Sequence, residues 1–209
     1  MAQSKHLHFS FELPRFSKDP SHTHEARANW VIPSTEDQAG LIAGYYPTDK
    51  SGNNKIIKEL RNVAGKIKNP AKILYFVDLT EKNSEKTTRE NWLASYTQHL
   101  ADGEGYVNFP LRDGKGSDDA TVSKAARHIV KILMDPKNLV YVHCWGGHGR
   151  TGMVVAKTLM VKYKMEHPTA VYFTHLAHDS RYDTKRRNSD KVPSPEHQEQ
   201  IACVKRAAN

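Results

Sequence analysis

The sequence predicts a single α/β domain, and three observations lead to this fold class. The 209 residues suit one domain, and no repeat, low-complexity tract or linker divides the chain. Segments with the apolar pattern of buried strands alternate with segments of helical periodicity. Hydrophobic residues form 38% of the chain, which is enough for a core. We therefore expect residues 29–209 to form one domain, preceded by an N-terminal extension over residues 1–28.

The N-terminal extension is polar and charged, with a few apolar residues. Phe9, Phe11 and Leu13 alternate with other residues, which is compatible with a short edge strand. Four histidines also lie in this segment: His6, His8, His22 and His24. No cysteine or carboxylate cluster completes a ligand set around them, so we expect no metal site.

The first half of the domain predicts two strands, a helix, a strand and a helix, in that order. The expected ranges are 29–47 for the two strands with their polar turn, then 53–64, 73–79 and 85–101. Asp78 lies at the end of the third strand, where a carboxylate more often caps the next turn than acts in catalysis. The helix expected at 85–101 is amphipathic and carries Trp92, Leu93, Tyr96 and Leu100.

The second half predicts alternating strands and helices that end in a helix beginning at Ser194. The expected ranges are strands at 106–111 and 139–142 and helices at 118–134, 151–164 and 168–178. Asp118 and Asp119 start the first of these helices, where carboxylates complement the helix dipole. Ser194-Pro195-Glu196 has the composition of a helix start. The basic stretch 181–191 is compatible with a solvated loop and equally with the flank of an anion pocket.

Residues 140–152, with the sequence VYVHCWGGHGRTG, combine an apolar strand, a glycine-rich turn and a helix start. Glycines allow the backbone to curl so that several N–H groups point at one centre, and the helix dipole adds positive potential there. The pattern therefore predicts an anion site, to which the backbone and side chains of six residues contribute: Trp145, Gly146, Gly147, His148, Gly149 and Arg150.

This predicted anion site also contains groups suited to chemistry on phosphate. A thiol surrounded by N–H groups is shifted toward the nucleophilic thiolate, which favours Cys144 as a nucleophile. Arg150 can hold two phosphate oxygens with its planar guanidinium. Thr151 supplies a hydroxyl near the sulfur, and His143 is interpreted as a buried orienting residue. His148 adds a donor at the rim of the loop.

The stretch resembles the active loop of the cysteine-dependent protein phosphatases, whose motif is His-Cys, five residues, then Arg-Ser/Thr. His143, Cys144, Arg150 and Thr151 match all four named positions. Rhodanese-like sulfur transferases and arsenate reductases also use a cysteine in an anion-binding loop, but neither explains the His-Cys pair and the Gly-Arg-Thr-Gly exit as well. The resemblance implies a central, mostly parallel sheet of four or five strands with helices on both faces, and it implies no metal or other cofactor.

The same resemblance implies a general acid on a loop upstream of the cysteine. Asp113 lies 31 residues before Cys144, within the stretch FPLRDG, which is similar to the family pattern of Phe-Pro, an aliphatic residue, a variable residue and Asp. In the family, a glutamine after the active loop also approaches the site. Gln200 matches that position best and Gln198 is the alternative.

The resemblance implies a phosphomonoester hydrolase that forms a phosphocysteine, most simply a dual-specificity or tyrosine protein phosphatase acting on phosphotyrosine, phosphoserine or phosphothreonine in proteins. An RNA 5′-phosphatase and a phosphoinositide phosphatase stay open as alternatives, although the absence of lysine from the active loop weakens the second. A phosphate-binding module without catalysis is a third alternative, against which Cys144, Arg150 and Asp113 argue.

Composition limits the partners and the compartment. The net charge of +8 favours anionic partners, so an anionic lipid or RNA stays open beside phosphoproteins. Cys144 and Cys203 are the only cysteines, so no disulfide framework is expected, and a reactive thiolate needs a reducing compartment. No apolar run approaches membrane-spanning length, and the N-terminus lacks the apolar segment of a signal peptide. We therefore expect a cytoplasmic protein without a membrane span.

Overall fold

A computed structural model describes residues 28–48, 54–67, 72–81, 95–114, 119–181 and 193–206, and the structure is given for these ranges. The strands are β1 Ala28–Ile32, β2 Gly40–Gly44, β3 Ile73–Asp78, β4 Gly105–Asn108 and β5 Asn138–His143. The helices are α1 Lys55–Lys66, α2 Asp119–Ile132, α3 Gly149–Tyr163, α4 His167–Asp179 and α5 Gln198–Arg206. None of the described helices combines the length and the apolar character needed to cross a bilayer.

The five strands form one sheet in the order β1-β2-β5-β3-β4. β1 pairs with β2 antiparallel, and the other three pairs are parallel. The predicted α/β fold with a mostly parallel sheet of four or five strands is therefore confirmed. β5 lies at the centre, and its last residue, His143, pairs with Gly44 of β2 and Asp78 of β3. The loop that follows β5 thus leaves the carboxyl edge of the sheet, where α/β proteins place their sites.

Alternation along β5 divides the apolar core into two layers, because successive side chains of a strand point to opposite faces. Val140 and Val142 face the layer formed with α2, α3, α4 and α5. Leu139 and Tyr141 face the other layer, which contains Ile57 and further apolar residues of α1. Helices therefore cover both faces, and this explains why β5 is buried along its whole length.

The prediction of an α-helix over residues 85–101 is wrong for residues 95–101, which are the part that the structure describes. There the chain forms a short 3-10 helix, Thr97–His99, while residues 85–94 lie outside the described residues. Arg61 explains part of the difference, since its Nη2 donates to the carbonyl of His99 over 2.7 Å. It also pairs with the carboxylate of Glu104 at 2.7 Å, so this stretch is fixed to α1 rather than continued as an α-helix.

The last helix begins at Gln198, four residues after the predicted start at Ser194. The hydroxyl of Ser194 does not cap this helix, because it donates to the carbonyl of His148 over 2.9 Å. The side-chain oxygen of Gln200 instead accepts hydrogen bonds from the N–H groups of Glu196 and His197 at 2.9 and 3.1 Å.

Several other predictions concern residues at the limits of the described ranges. The predicted edge strand over Phe9, Phe11 and Leu13 and the residue Asp118 lie outside the described residues, as do residues 182–191 of the basic stretch. Asp119 is the first residue of α2, as predicted, and its carboxylate also pairs with Arg206 of α5 at 2.8 Å. The hydrogen bond to this arginine lowers the pKa of Asp119.

Candidate active site

The cysteine loop, residues 144–148, connects the central strand to the N-terminus of α3. The N–H of Gly147 donates to the Sγ of Cys144 over 3.2 Å, so the loop curls around the sulfur. Gly147 has a φ of +70°, and a Cβ there would lie 2.4 Å from the carbonyl oxygen of Gly44. Only glycine can satisfy both constraints, which is why the loop is rich in this residue.

Cys144 is buried, with 3% of its surface exposed, and lies just before the amino end of α3. Its thiol therefore lies near the N–H of Gly147 and the amino end of α3, an arrangement that favours the binding of an anion there. Among the described residues, no group of three histidines, cysteines or carboxylates could hold a metal ion.

Arg150, in the first turn of α3, connects the cysteine loop to the acid loop, which we define as residues 109–114. Its guanidinium is buried, and Nη1 donates to the carbonyl of Leu111 at 3.2 Å and approaches that of Leu79 at 3.5 Å. Its Nη2 lies 3.0 Å from Oδ1 of Asp113. The structure thus brings the predicted acid to the predicted phosphate-binding arginine.

Asp113 reaches Arg150 from a position open to solvent, since 46% of its side chain is exposed. Its backbone N–H donates to the carboxylate of Glu81 over 3.2 Å, which joins the acid loop to the segment after β3. Its carboxylate can therefore contact both solvent and a group bound at Arg150. The role of Asp113 as a general acid stays a prediction.

His143 lies behind the cysteine and is fully buried. Its Nδ1 is 3.3 Å from the carbonyl of Cys144, and its Nε2 is 2.7 Å from the hydroxyl of Tyr96. A carbonyl can only accept, so Nδ1 carries a proton, and Oδ1 of Asp78 lies 3.9 Å from the same nitrogen. Burial raises the pKa of Tyr96 well above its usual value, so the phenol keeps its proton. His143 is therefore buried next to the backbone of Cys144, and its role as an orienting residue stays a prediction.

Tyr96 is a site residue that the sequence did not indicate, because its spacing suggested the apolar face of a helix. We expect Tyr96→Phe to lower the free energy of unfolding by about 1–2 kcal/mol, since His143 loses a buried hydrogen-bond partner. Urea denaturation measures this change. Tyr172→Phe is the matched control, because Tyr172 is 59% exposed and should show no change. Equal stability of Tyr96→Phe and the wild type would contradict the assigned bond.

Asp78 has the structural role predicted for it. One carboxylate oxygen accepts from the backbone N–H of Thr80 at 2.9 Å and from its hydroxyl at 2.7 Å. The other accepts from the hydroxyl of Tyr106 at 3.2 Å. These bonds cap the turn after β3 and leave Asp78 buried on the inner side of the loop.

Trp145 and Thr151, at the two ends of the segment around the cysteine loop, differ in exposure. Trp145 is 37% exposed, and its carbonyl accepts from the N–H of Tyr46 at 3.1 Å. Thr151 is buried, and its hydroxyl has no hydrogen-bond partner among the described residues, the thiol of Cys144 included. It lines a small cavity behind the loop, together with Asn29, Gly147, His178, Arg181 and Ser194. The predicted contact of Thr151 with the sulfur is therefore not made in this structure.

Gln200 packs against the start of α3. It is 1% exposed, and a Cβ on Gly149 would lie 2.4 Å from its Nε2. Gln198, the alternative from sequence, is exposed as the first residue of α5. The structure therefore brings Gln200, rather than Gln198, to the first residue of α3, directly after the cysteine loop.

Arg181 and His178 support the loop from behind, and neither was singled out as buried from sequence. Arg181 is 1% exposed and donates from Nε to the side-chain oxygen of Asn29 over 2.5 Å. Its Nη1 would lie 2.8 Å from a Cβ on Gly147. The burial of Arg181 excludes a solvated loop at this position, and its place beside Gly147 is compatible with the flank of an anion pocket. Residues 182–191 lie outside the described residues.

Comparison with known proteins agrees with this geometry. Residues 59–204 match the family model described as "Swiss Army Knife protein, DSP-PTPase phosphatase domain". "Putative tyrosine phosphatase 197R" of Invertebrate iridescent virus 6 is 29% identical over 84% of this chain and 63% of its own length. "Putative tyrosine phosphatase 067L" of Invertebrate iridescent virus 3 is 28% identical over 53% of this chain and 44% of its own. The chain thus spans less than two thirds of either relative.

Solved structures show the same fold at low sequence identity. The human tyrosine phosphatase-like serine/threonine/tyrosine-interacting protein superposes with a TM-score of 0.57 and 12% identity, covering 87% of this chain and 95% of its own. At this identity, the similarity shows a shared architecture and carries no information about substrate.

Proposed function

The chain belongs to the family of Swiss Army Knife DSP-PTPase phosphatase domains, and from this premise we propose that it hydrolyses phosphomonoesters of proteins through a phosphocysteine on Cys144. One observation supports this most strongly: the buried Arg150 contacts Asp113 at 3.0 Å and begins the helix directly after the cysteine loop. The proposed nucleophile Cys144 comes from the cysteine loop, the proposed phosphate-binding group Arg150 from the first turn of α3, and the proposed acid Asp113 from the acid loop.

In the proposed first step, the thiolate of Cys144 attacks phosphorus and the bond to the leaving oxygen breaks. The guanidinium of Arg150 and the N–H groups of the cysteine loop hold the equatorial phosphate oxygens. Asp113 transfers its proton to the leaving oxygen, so that the product departs as a neutral alcohol or phenol. His143 fixes the backbone at Cys144 through the carbonyl contact of 3.3 Å.

In the proposed second step, water attacks the phosphocysteine and the bond between sulfur and phosphorus breaks. Asp113, now ionised, accepts a proton from this water, and the thiolate of Cys144 is regenerated. Gln200 is proposed to orient the water through its amide nitrogen, because its oxygen already accepts two backbone hydrogen bonds. Thr151 is proposed to donate to the departing sulfur after rotation of its side chain. No step uses a metal or cofactor.

The acid role of Asp113 gives the sharpest test of this mechanism. A nitrophenolate is stable without a proton, whereas a serine alkoxide is not. Asp113→Asn should therefore slow the cleavage of alkyl phosphates roughly 10²–10⁴-fold and that of activated aryl phosphates much less. It should also remove the decline in rate at high pH that deprotonation of an essential acid produces. A leaving-group series measured by steady-state kinetics shows both effects.

Asp119→Asn and Asp118→Asn are the controls for this series. Asp119 starts α2 and pairs with Arg206, so its replacement should change neither the leaving-group dependence nor the pH profile. Equal losses across all leaving groups in Asp113→Asn would show a structural role for this aspartate. A leaving-group-dependent loss in Asp118→Asn would move the acid to that position.

We propose phosphotyrosine, phosphoserine and phosphothreonine in proteins as the substrate class. The family description and the names of the viral relatives support a protein phosphatase. The net charge of +8 keeps anionic lipids and RNA ends as the alternatives to exclude. A panel of phosphopeptides, phosphoinositides and triphosphate-ended RNA at one fixed salt concentration tests the choice, because binding to RNA through charge depends steeply on salt. Faster turnover of RNA or lipid than of every phosphopeptide would replace the proposed class.

We propose a cytoplasmic location. Cys144 must stay reduced to act as a nucleophile, and a reducing compartment provides this condition. In the described part of the chain, neither Cys144 nor Cys203 forms a disulfide.

A further inference from the structure

A pair of histidines connects the cysteine loop to α4. Nδ1 of His148 lies 2.6 Å from Nε2 of His178, which is 30 residues away in the chain. His148 is half-buried at the end of the loop, and the Cδ2–Nε2 edge of its ring lies against Gly146, where a Cβ would be 2.9 Å from Cδ2 and 3.4 Å from Nε2. The ring of Tyr45 meets it edge-on at 6.0 Å.

His178 stays neutral at working pH. It is 2% exposed, and burial lowers its pKa to about 2, with the charge of Arg181 as the next cause. A neutral imidazole carries one N–H and one lone pair, so the nitrogen that faces His148 can either donate or accept. His178 therefore adds no positive charge beside His148.

We propose that His178 is a positioning residue that makes Nε2 of His148 a hydrogen-bond donor to the phosphate bound by the cysteine loop. In the state that achieves this, Nε2–H of His178 donates to Nδ1 of a neutral His148, so that the hydrogen of the His148 ring lies on Nε2. This inference rests on the proposed function, because it requires that the loop binds phosphate.

The geometry gives a reason why His148 needs this partner. A neutral histidine without a fixed neighbour exchanges its hydrogen between the two ring nitrogens. With the hydrogen on Nδ1, Nε2 would present a lone pair to the phosphate and repel it. In that state Nε2 of His178 would have to accept, and His178 would carry its own hydrogen on Nδ1, which is buried without a hydrogen-bond partner among the described residues. A buried N–H without a partner is costly, so the pair favours donation from Nε2–H of His178 to Nδ1 of His148. This bond also holds the ring beside Gly146 and Tyr45.

A double-mutant cycle on the full chain tests the proposal, with the dissociation constant of inorganic phosphate measured by calorimetry. His178→Leu should weaken phosphate binding roughly tenfold, because a hydrogen bond to a charged group is lost. His178→Gln should restore most of the affinity, since its amide offers both a donor and an acceptor. In a His148→Ala background, His178→Leu should cause no further loss.

His175→Gln is the matched control, since His175 is a half-buried histidine on the same helix that lies 3.9 Å from Asp179. It should bind phosphate as the wild type does. An equal loss from His178→Leu in both backgrounds would overturn the proposal, because that loss would not act through His148. Wild-type affinity in His178→Leu would overturn it as well.

Ring ¹⁵N spectra of the wild-type chain provide a second readout that does not depend on whether His178→Leu folds. With inorganic phosphate bound, Nε2 of His148 should be protonated, and a lone pair there would overturn the proposal. Turnover of an aryl phosphate is measured separately. If the chain binds phosphate with the expected coupling between His148 and His178 but does not turn over, the proposed function is rejected and this inference stands. If the chain turns over but the double-mutant cycle shows no coupling, the proposed function stands and this inference is rejected.

Discussion

Cys144→Ser should lose turnover by roughly 10⁵–10⁶-fold, which is the scale seen when a catalytic nucleophile is removed. A serine hydroxyl at this position is not ionised, and none of the described contacts of the loop supplies a base to it. Binding of inorganic phosphate should persist, because the N–H of Gly147 and the guanidinium of Arg150 are unchanged. Kinetics with p-nitrophenyl phosphate and calorimetry with phosphate measure the two quantities on the same preparation.

Cys203→Ser is the matched control for this change, since it replaces sulfur by oxygen in a buried cysteine of α5. It should keep the turnover number of the wild type, apart from any loss of stability. Turnover in Cys144→Ser comparable to that of the wild type would reject Cys144 as the nucleophile. Loss of phosphate binding together with turnover would instead mean that the sulfur maintains the shape of the loop.

Arg150→Lys should reduce kcat/KM on the order of 10³-fold although the charge is kept, since each lost transition-state contact costs a large factor. A lysine presents a point charge and cannot reproduce the planar fork. It also cannot contact the carbonyl of Leu111 and the carboxylate of Asp113 with two separate nitrogens, as Arg150 does at 3.2 and 3.0 Å. We therefore expect a lower kcat as well as a higher KM.

Arg127→Lys is a suitable control, because Arg127 is exposed on α2. Its kinetic constants should match those of the wild type. If Arg150→Lys retained near-normal kcat/KM, Arg150 would not be the bidentate phosphate-binding group. Its role would then be limited to connecting the cysteine loop to the acid loop.

The parts of the fold and site that could be predicted from sequence have local causes. The continuous apolar run of β5, the glycines of the loop and the helical spacing after Thr151 lie next to each other in the chain. Each of them follows from backbone conformation and burial over a few residues. The pairing of Asp113 with Arg150 could be expected only from the family resemblance, since 37 residues separate them in the chain.

The parts that could not be predicted depend on contacts between distant residues. Tyr96 and His178 have spacings typical of helix faces, and Arg181 lies in a stretch of exposed composition. A buried polar side chain is stabilised by a hydrogen-bond partner, and which residue is that partner depends on the tertiary structure. The start of α5 was misplaced for the same reason, because Ser194 donates to the cysteine loop rather than to its own helix.

The contacts of the cysteine loop also bear on the order in which the chain is made. Its carbonyl groups accept from Tyr46, near the start of the domain, and from Ser194, near its end. Gln200 then closes the space beside Gly149. A chain emerging from the ribosome therefore exposes Cys144 well before the last segments that shape its surroundings. We expect the nascent protein not to bind phosphate until α5 has docked, so that the cysteine loop becomes competent only in the finished fold.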